Sequence, residues 1–163
     1  MDIFGIPVPD EGPVFLVTVL IHIVAGLSSV IAGIVAMLSR KGGRVHIRFG
    51  RIYVGGIATL FVTMVVLAAI RWPHDTHLAV VGLIALVAVA IGFFNRRRHR
   101  SDPVHILAMG VSYIAMLTAF YVDNGPFLPG WSLLPSWMLW VLPSLIGAPI
   151  IARALTKRRR ARI

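Results

Sequence analysis

Four histidines of this 163-residue chain fall into two sets whose spacing suits iron. His46 opens Val45-His46-Ile47, followed by Gly50-Arg51-Ile52-Tyr53-Val54; His105 opens Val104-His105-Ile106, followed by Gly110-Val111-Ser112-Tyr113-Ile114. Both copies read V-H-I, two or three residues, then G-x-x-Y and a β-branched residue. Each follows a basic loop, and each loop follows an apolar run with one histidine: His22 lies 18 residues before Arg40, and His77 lies 19 before Arg96. Paired as His22 with His77 and His46 with His105, these imidazoles would offer an iron one nitrogen from each side. That is the axial set of b-type haem. At 1.5 Å rise per residue the two levels would stand roughly 20–25 Å apart, so one or two haems are expected.

A macrocycle needs room, and small side chains would supply it. Ala25, Gly26, Ser29 and Gly33 share the helical face of His22. Gly50 is one turn beyond His46, with Gly55-Gly56 further on; Met109, Ser112 and Met116 lie over His105. The same small-residue stripes also let membrane helices pack closely with no cofactor, and histidines near helix ends are often plain interfacial groups. His22 resists that explanation, because an ionisable group inside a span calls for a function or a partner.

Other residues carry weaker signals. Tyr53 and Tyr113 are equivalent in the repeat and would hydrogen-bond across helices or line a quinone pocket. His74, Asp75 and His77, with Asp123 from the next loop on that side, are an alternative outer site for zinc or copper. That site competes with haem for His77, and H-x-x-H in a short turn is more often a polar loop. His99 sits in a basic run and reads as a solvated loop residue. No nucleophile–base set, phosphate loop or carboxylate pair is present, so no catalytic side chain is assigned. Cysteine is absent, which excludes disulfides, thiolate-held iron–sulfur clusters and covalent C-x-x-C-H haem.

The elements that must position these groups are membrane spans. Hydrophobic residues make up 58% of the chain and mean hydropathy is strongly positive. Spans are expected at about 14–38, 45–70, 76–94, 104–122 and 133–155, each near the ~20 apolar residues that a bilayer requires. Pro103 suits the first turn of the fourth, and Pro143 and Pro149 are expected to kink or break the fifth. Of 16 Lys and Arg, 15 fall in three clusters: Arg40 to Arg51, Arg96 to Arg100 and Arg153 to Arg162. Five crossings put all three on one face, with Arg71 and all the acids but Asp102 on the other. The positive-inside rule then predicts an integral inner-membrane protein with its amino terminus outside and carboxyl terminus in the cytoplasm. The start, Met1 to Gly12, lacks the basic region of a signal peptide, so the first run is expected to remain as a helix.

The fold class expected is therefore an all-α integral membrane protein, one domain over residues 1–163. Spans 1–2 and 3–4 would be parallel copies of one hairpin, related by a pseudo-twofold axis along the membrane normal. Together they would form a four-helix bundle, with the fifth helix added. A net charge of +10 suggests nucleic acid only when it forms a stripe on a soluble fold; flanking apolar spans, it points to anionic inner-leaflet headgroups.

The segments Lys41-Gly42-Gly43-Arg44-Val45-His46 with Gly50-Arg51-Ile52-Tyr53, and His105 through Met109-Gly110 to Thr118-Ala119-Phe120-Tyr121-Val122-Asp123-Asn124-Gly125, resemble an uncharacterised family of bacterial multi-span membrane proteins. The resemblance covers most of spans 1 to 4 and implies no known activity. Separately, the placement of the histidines is similar in architecture, not in sequence, to the di-haem transmembrane b-type cytochromes. There, four central helices carry two ligand pairs at two depths, which implies haem b at His22/His77 and His46/His105. This chain departs from that pattern in having histidines nearer the helix ends and five spans where those proteins commonly have six.

The reading is a b-type haem protein for transmembrane electron transfer, a membrane oxidoreductase served by quinol or another redox partner. Two rivals stand beside it. One is a cofactor-free accessory or assembly subunit of a membrane complex, or a homo-oligomer, held by helix packing alone. The other is a proton or small-solute conductor that uses His22 and Tyr53 as relay groups.

Overall fold

Long apolar runs separated by glycine, proline and charge become helices because only internal hydrogen bonding satisfies the backbone inside lipid. The computed structural model describes residues 2–3, 6–7, 12–98 and 101–160, and among them five long helices account for nearly all of the chain. They are α1 (Pro13–Leu38), α2 (Arg44–Ile70), α3 (Thr76–Arg97), α4 (Asp102–Asn124) and α5 (Ser136–Arg160). All five are long and apolar enough to cross a membrane. Before α1, Asp2–Ile3 and Ile6–Pro7 form a minimal antiparallel pair. The protein is thus all-α in its body, as its sequence predicts, with boundaries within a few residues of the expected spans.

Local chemistry sets the ends. Proline opens α1 and lies in the first turn of α4, where its missing N–H costs nothing. Between α1 and α2 the chain turns over Ser39 to Gly43, with Gly42 at φ +79°, a backbone state that favours glycine. α5 carries Pro143 and Pro149 inside it and is not broken by them, so of the two outcomes expected, a kink or a break, the break does not occur. Inside lipid, neighbouring helices and local adjustment re-satisfy the groups that a proline frees.

Two compact units divide the chain within α3: Asp10–Leu86, and Val87–Ile163 with Met1–Pro9. In the first, α1 and α2 form a closely packed hairpin. Ser29 is fully buried, and a Cβ placed on Gly56 would collide with its hydroxyl and lie 3.5 Å from the Ala25 carbonyl. A Cβ on Gly26 would touch Leu60 at 3.7 Å. The start of α3 packs on the same hairpin, Gly82 facing Phe61 and Met64.

In the second unit, α4 and α5 interlock through two reciprocal pairs. Ile151 of α5 fills the space over Gly110, and Ile114 of α4 fills the space over Gly147, one turn away on each helix. Each isoleucine is a knob and each glycine its hole, so the backbones approach without loss of dispersion contact. Asp102 joins three helix ends there. Its carboxylate accepts from Arg96 at 2.6 Å and from Arg158 at 2.6 Å, so the end of α3, the start of α4 and the end of α5 share one face. Both basic clusters that reach this acid therefore lie together, as the charge pattern requires. Tyr121 stacks on Trp131 at 4.4 Å between ring centres, anchoring the linker that leads to α5.

Candidate functional site

His22 lies nine residues inside α1, about 13 Å along its axis. Its Nδ1 is 2.7 Å from the hydroxyl of Thr63 on α2. That hydroxyl has one proton, and the Thr59 carbonyl also stands within reach of it at 2.8 Å. With the hydroxyl proton turned to its own helix the ring donates from Nδ1 and keeps its lone pair on Nε2; with it turned to the ring, Nδ1 accepts and Nε2 holds the proton. Ser29, two turns along the same face of α1, donates to the Ala25 carbonyl at 2.7 Å and is spent locally.

His46 is the third residue of α2 and reaches back across the hairpin. Its Nδ1–H donates at 2.8 Å to the carbonyl of Ala36, in the last turn of α1. The last carbonyls of a helix have no intrahelical partner and carry its negative pole. Lys41 joins in, its Nζ donating to Met37 at 2.6 Å and to Ala36 at 3.3 Å. Desolvation there lowers the Lys41 pKa below the ordinary lysine value. His46, Lys41 and the Ser39 hydroxyl at 3.2 Å thus cap one helix end.

The second copy repeats the device. His105, fourth residue of α4, donates its Nδ1–H at 2.9 Å to the carbonyl of Gly92 on α3. Gly92 is buried, and a Cβ there would lie 2.9 Å from the Met109 sulfur, which is why that carbonyl can be approached so closely. The two V-H-I segments therefore share a structural act as well as letters. Each histidine clasps the second helix of a hairpin to a carbonyl of the first, and each holds the tautomer that leaves its lone pair on Nε2.

The remaining sequence candidates are placed as follows. His77 is the second residue of α3 and is exposed, as is His74 in the turn before it. Asp75 is buried and pairs with Arg71 at 3.1 Å. Asp123 is exposed and its Oδ2 accepts from the Asn124 amide at 3.2 Å. Among the described residues no group of three or more His, Asp or Glu side chains is gathered as a metal site would need, so the outer set His74, Asp75, His77 and Asp123 is not assembled into one. His99 lies outside the described residues.

Tyr53 and Tyr113 prove unequal. Tyr53 is buried at 2% exposure, seven residues after His46, whereas Tyr113 is half-buried and eight after His105. The extra residue in the second copy turns its side chain by about 100° around the helix. Ser112, seven after His105 and fully buried, occupies the register that Tyr53 holds in the first copy.

Thr63 is the residue that sequence reasoning overlooked. A counting signal for it exists: His22 and Thr63 are equally far in sequence from the Gly42–Gly43 turn, and so are Ser29 and Gly56. In an antiparallel hairpin such residues meet at the same depth. The face of α1 that was expected to leave room for a macrocycle is instead filled by α2, along Gly26, Ser29 and their partners.

No family model matches this chain, and no curated protein or solved structure matches it. The resemblance carried by its histidine motifs thus rests on those motifs.

Proposed function

We propose that this chain ligates b-type haem within the bilayer through Nε2 of its anchored histidines and serves electron transfer across the membrane. One observation carries the reading: His22, His46 and His105 are each held through Nδ1, by a hydroxyl or by a backbone carbonyl. Iron-ligating histidines are oriented in this way, with the second nitrogen donating to a fixed acceptor that sets the tautomer and raises ligand basicity. The orientation of each of these three rings therefore suits an iron ligand. The small-residue face of α1 does not supply the space, because α2 fills it, so a macrocycle at His22 would take its room from elsewhere around the ring.

Bound haem supplies a one-electron ferric/ferrous couple. The chain's own part is to bind and orient. Thr63 fixes the His22 ring, and the Ala36 and Gly92 carbonyls fix the rings of His46 and His105. The apolar span around His22 would keep water from that ring. The setting would be a bacterial inner membrane with the basic clusters on the cytoplasmic side, and the electron donor a quinol or another redox partner.

A second reading is favoured by the closure of α1 on α2. There the three histidines are purely structural clasps, and the chain is an accessory or assembly subunit of a membrane complex. The absorption spectrum of the chain purified from haem-replete cells separates the two. Sharp α and Soret bands that intensify on reduction support haem; a colourless protein that is stable only with a partner supports the subunit.

A further inference from the structure

We infer that Arg44, Arg48 and Arg51 form a binding site for an anionic phospholipid, and that a lipid carrying two phosphates is preferred over one carrying a single phosphate. The three arginines lie at i, i+4 and i+7 on α2 and share one helix face. With Ile47 and Ile52 they line an open concavity of about 560 Å³.

Three uncompensated charges on one helix face, beside exposed apolar side chains, set this cluster apart. Arg96 and Arg158 share the single carboxylate of Asp102, and Arg71 pairs with Asp75. Arg44, Arg48 and Arg51 have no acidic partner within 4 Å among the described residues, and all three are exposed. Three guanidiniums close together repel one another, and an anion that bridges them removes the repulsion while accepting charge-assisted hydrogen bonds.

The apolar part of the lining identifies the source of that anion. Ile47 and Ile52 are 46% and 42% exposed within the same concavity. A soluble phosphate makes no use of them, whereas a phospholipid lays its acyl chains there and its headgroup on the arginines. From Arg44 to Arg51 the helix rises about 10.5 Å, a span that suits two phosphates. Basic pockets at the ends of membrane helices bind such headgroups, at about 1 kcal/mol per basic residue.

The test uses the full chain in nanodiscs of phosphatidylcholine alone, with added phosphatidylglycerol, or with added diphosphatidylglycerol, and reads retained lipid by native mass spectrometry. Wild type should retain diphosphatidylglycerol most strongly and phosphatidylglycerol less. In the triple variant Arg44→Gln/Arg48→Gln/Arg51→Gln retention should fall about a hundredfold, and in Arg48→Gln alone about fivefold. The control Arg98→Gln/Arg153→Gln/Lys157→Gln removes as much charge from other exposed positions and should change little. Circular dichroism reports whether each variant keeps its helices, and the single variant carries the test if the triple one does not. Equal retention of all three lipids, equal losses in test and control variants, or displacement of the lipid by millimolar inorganic phosphate would overturn the inference.

Discussion

His22 and Thr63 meet at 2.7 Å across the α1–α2 hairpin, and the threonine hydroxyl also reaches the Thr59 carbonyl. The orientation of the imidazole thus depends on one oxygen atom. Thr63→Val keeps the shape and removes that oxygen. It should lower stability by about 0.5–2 kcal/mol, the range of interhelical hydrogen bonds in a membrane. Thr63→Ser should restore most of the loss. Thermal unfolding in detergent measures both, and an unchanged midpoint in the valine variant would contradict the assignment.

Gly55 and Gly56 are neighbours with opposite surroundings. A Cβ on Gly56 collides with Ser29, whereas nothing lies within 4 Å of one on Gly55. Gly56→Ala should therefore destabilise the hairpin by about 1–3 kcal/mol through overpacking. Gly55→Ala should be neutral or stabilising by up to ~1 kcal/mol, since alanine is the better helix former. Equal effects in the two variants would mean that α1 and α2 are not in close contact here.

In the α4–α5 interlock, Gly110 and Ile151 should behave as one unit. Gly110→Ala crowds the isoleucine, and Ile151→Ala empties the hole. The double variant should be less damaged than the sum of the singles, with a coupling of about 0.5–3 kcal/mol. A double-mutant cycle by chemical unfolding gives the figure, and strict additivity would show that the two residues do not touch.

Much of this fold could be read from the chain itself, and the reasons are physical. Five spans followed from apolar length, and the turns from glycine, proline and charge at their ends. The V-H-I copies pointed to paired positions for His46 and His105. Side-chain partners were harder. A histidine on a small-residue face fits a cofactor and a neighbouring helix equally well, and only packing shows that Ser29 meets Gly56. Thr63 was obscured because threonine in a span commonly bonds its own helix, which it also does here. Tyr113 was matched to Tyr53 by letters, but one inserted residue moved it around the helix and left Ser112 in its place. Pro143 and Pro149 left two outcomes open for α5, a kink or a break, and the helix runs on through both.

Asp102 is gripped by two guanidiniums at 2.6 Å, and each arginine is about half exposed. Solvent screening keeps such pairs modest. Asp102→Asn should cost about 1 kcal/mol or less at low salt, and the gap to wild type should close near 1 M salt. Unfolding at two ionic strengths tests this; a large cost that does not depend on salt would point to packing rather than charge.

The natural absence of cysteine makes topology directly measurable. Ser39→Cys and Ser101→Cys place single thiols beside the basic clusters, and Ser132→Cys places one in the linker before α5. An impermeant maleimide should label Ser132→Cys in intact cells, and the other two only after the membrane is opened. The reverse pattern would invert the proposed orientation.

The central claim is that the anchored imidazoles hold iron, and a reduced-minus-oxidised difference spectrum tests it most directly. Wild-type protein from haem-replete cells should show the bands of low-spin bis-histidine haem. His22→Ala should remove a component, while Thr63→Val should shift its potential without removing it. Wild type with no visible bands, or bands that survive loss of His22, His46 and His105 together in a folded protein, would contradict the account.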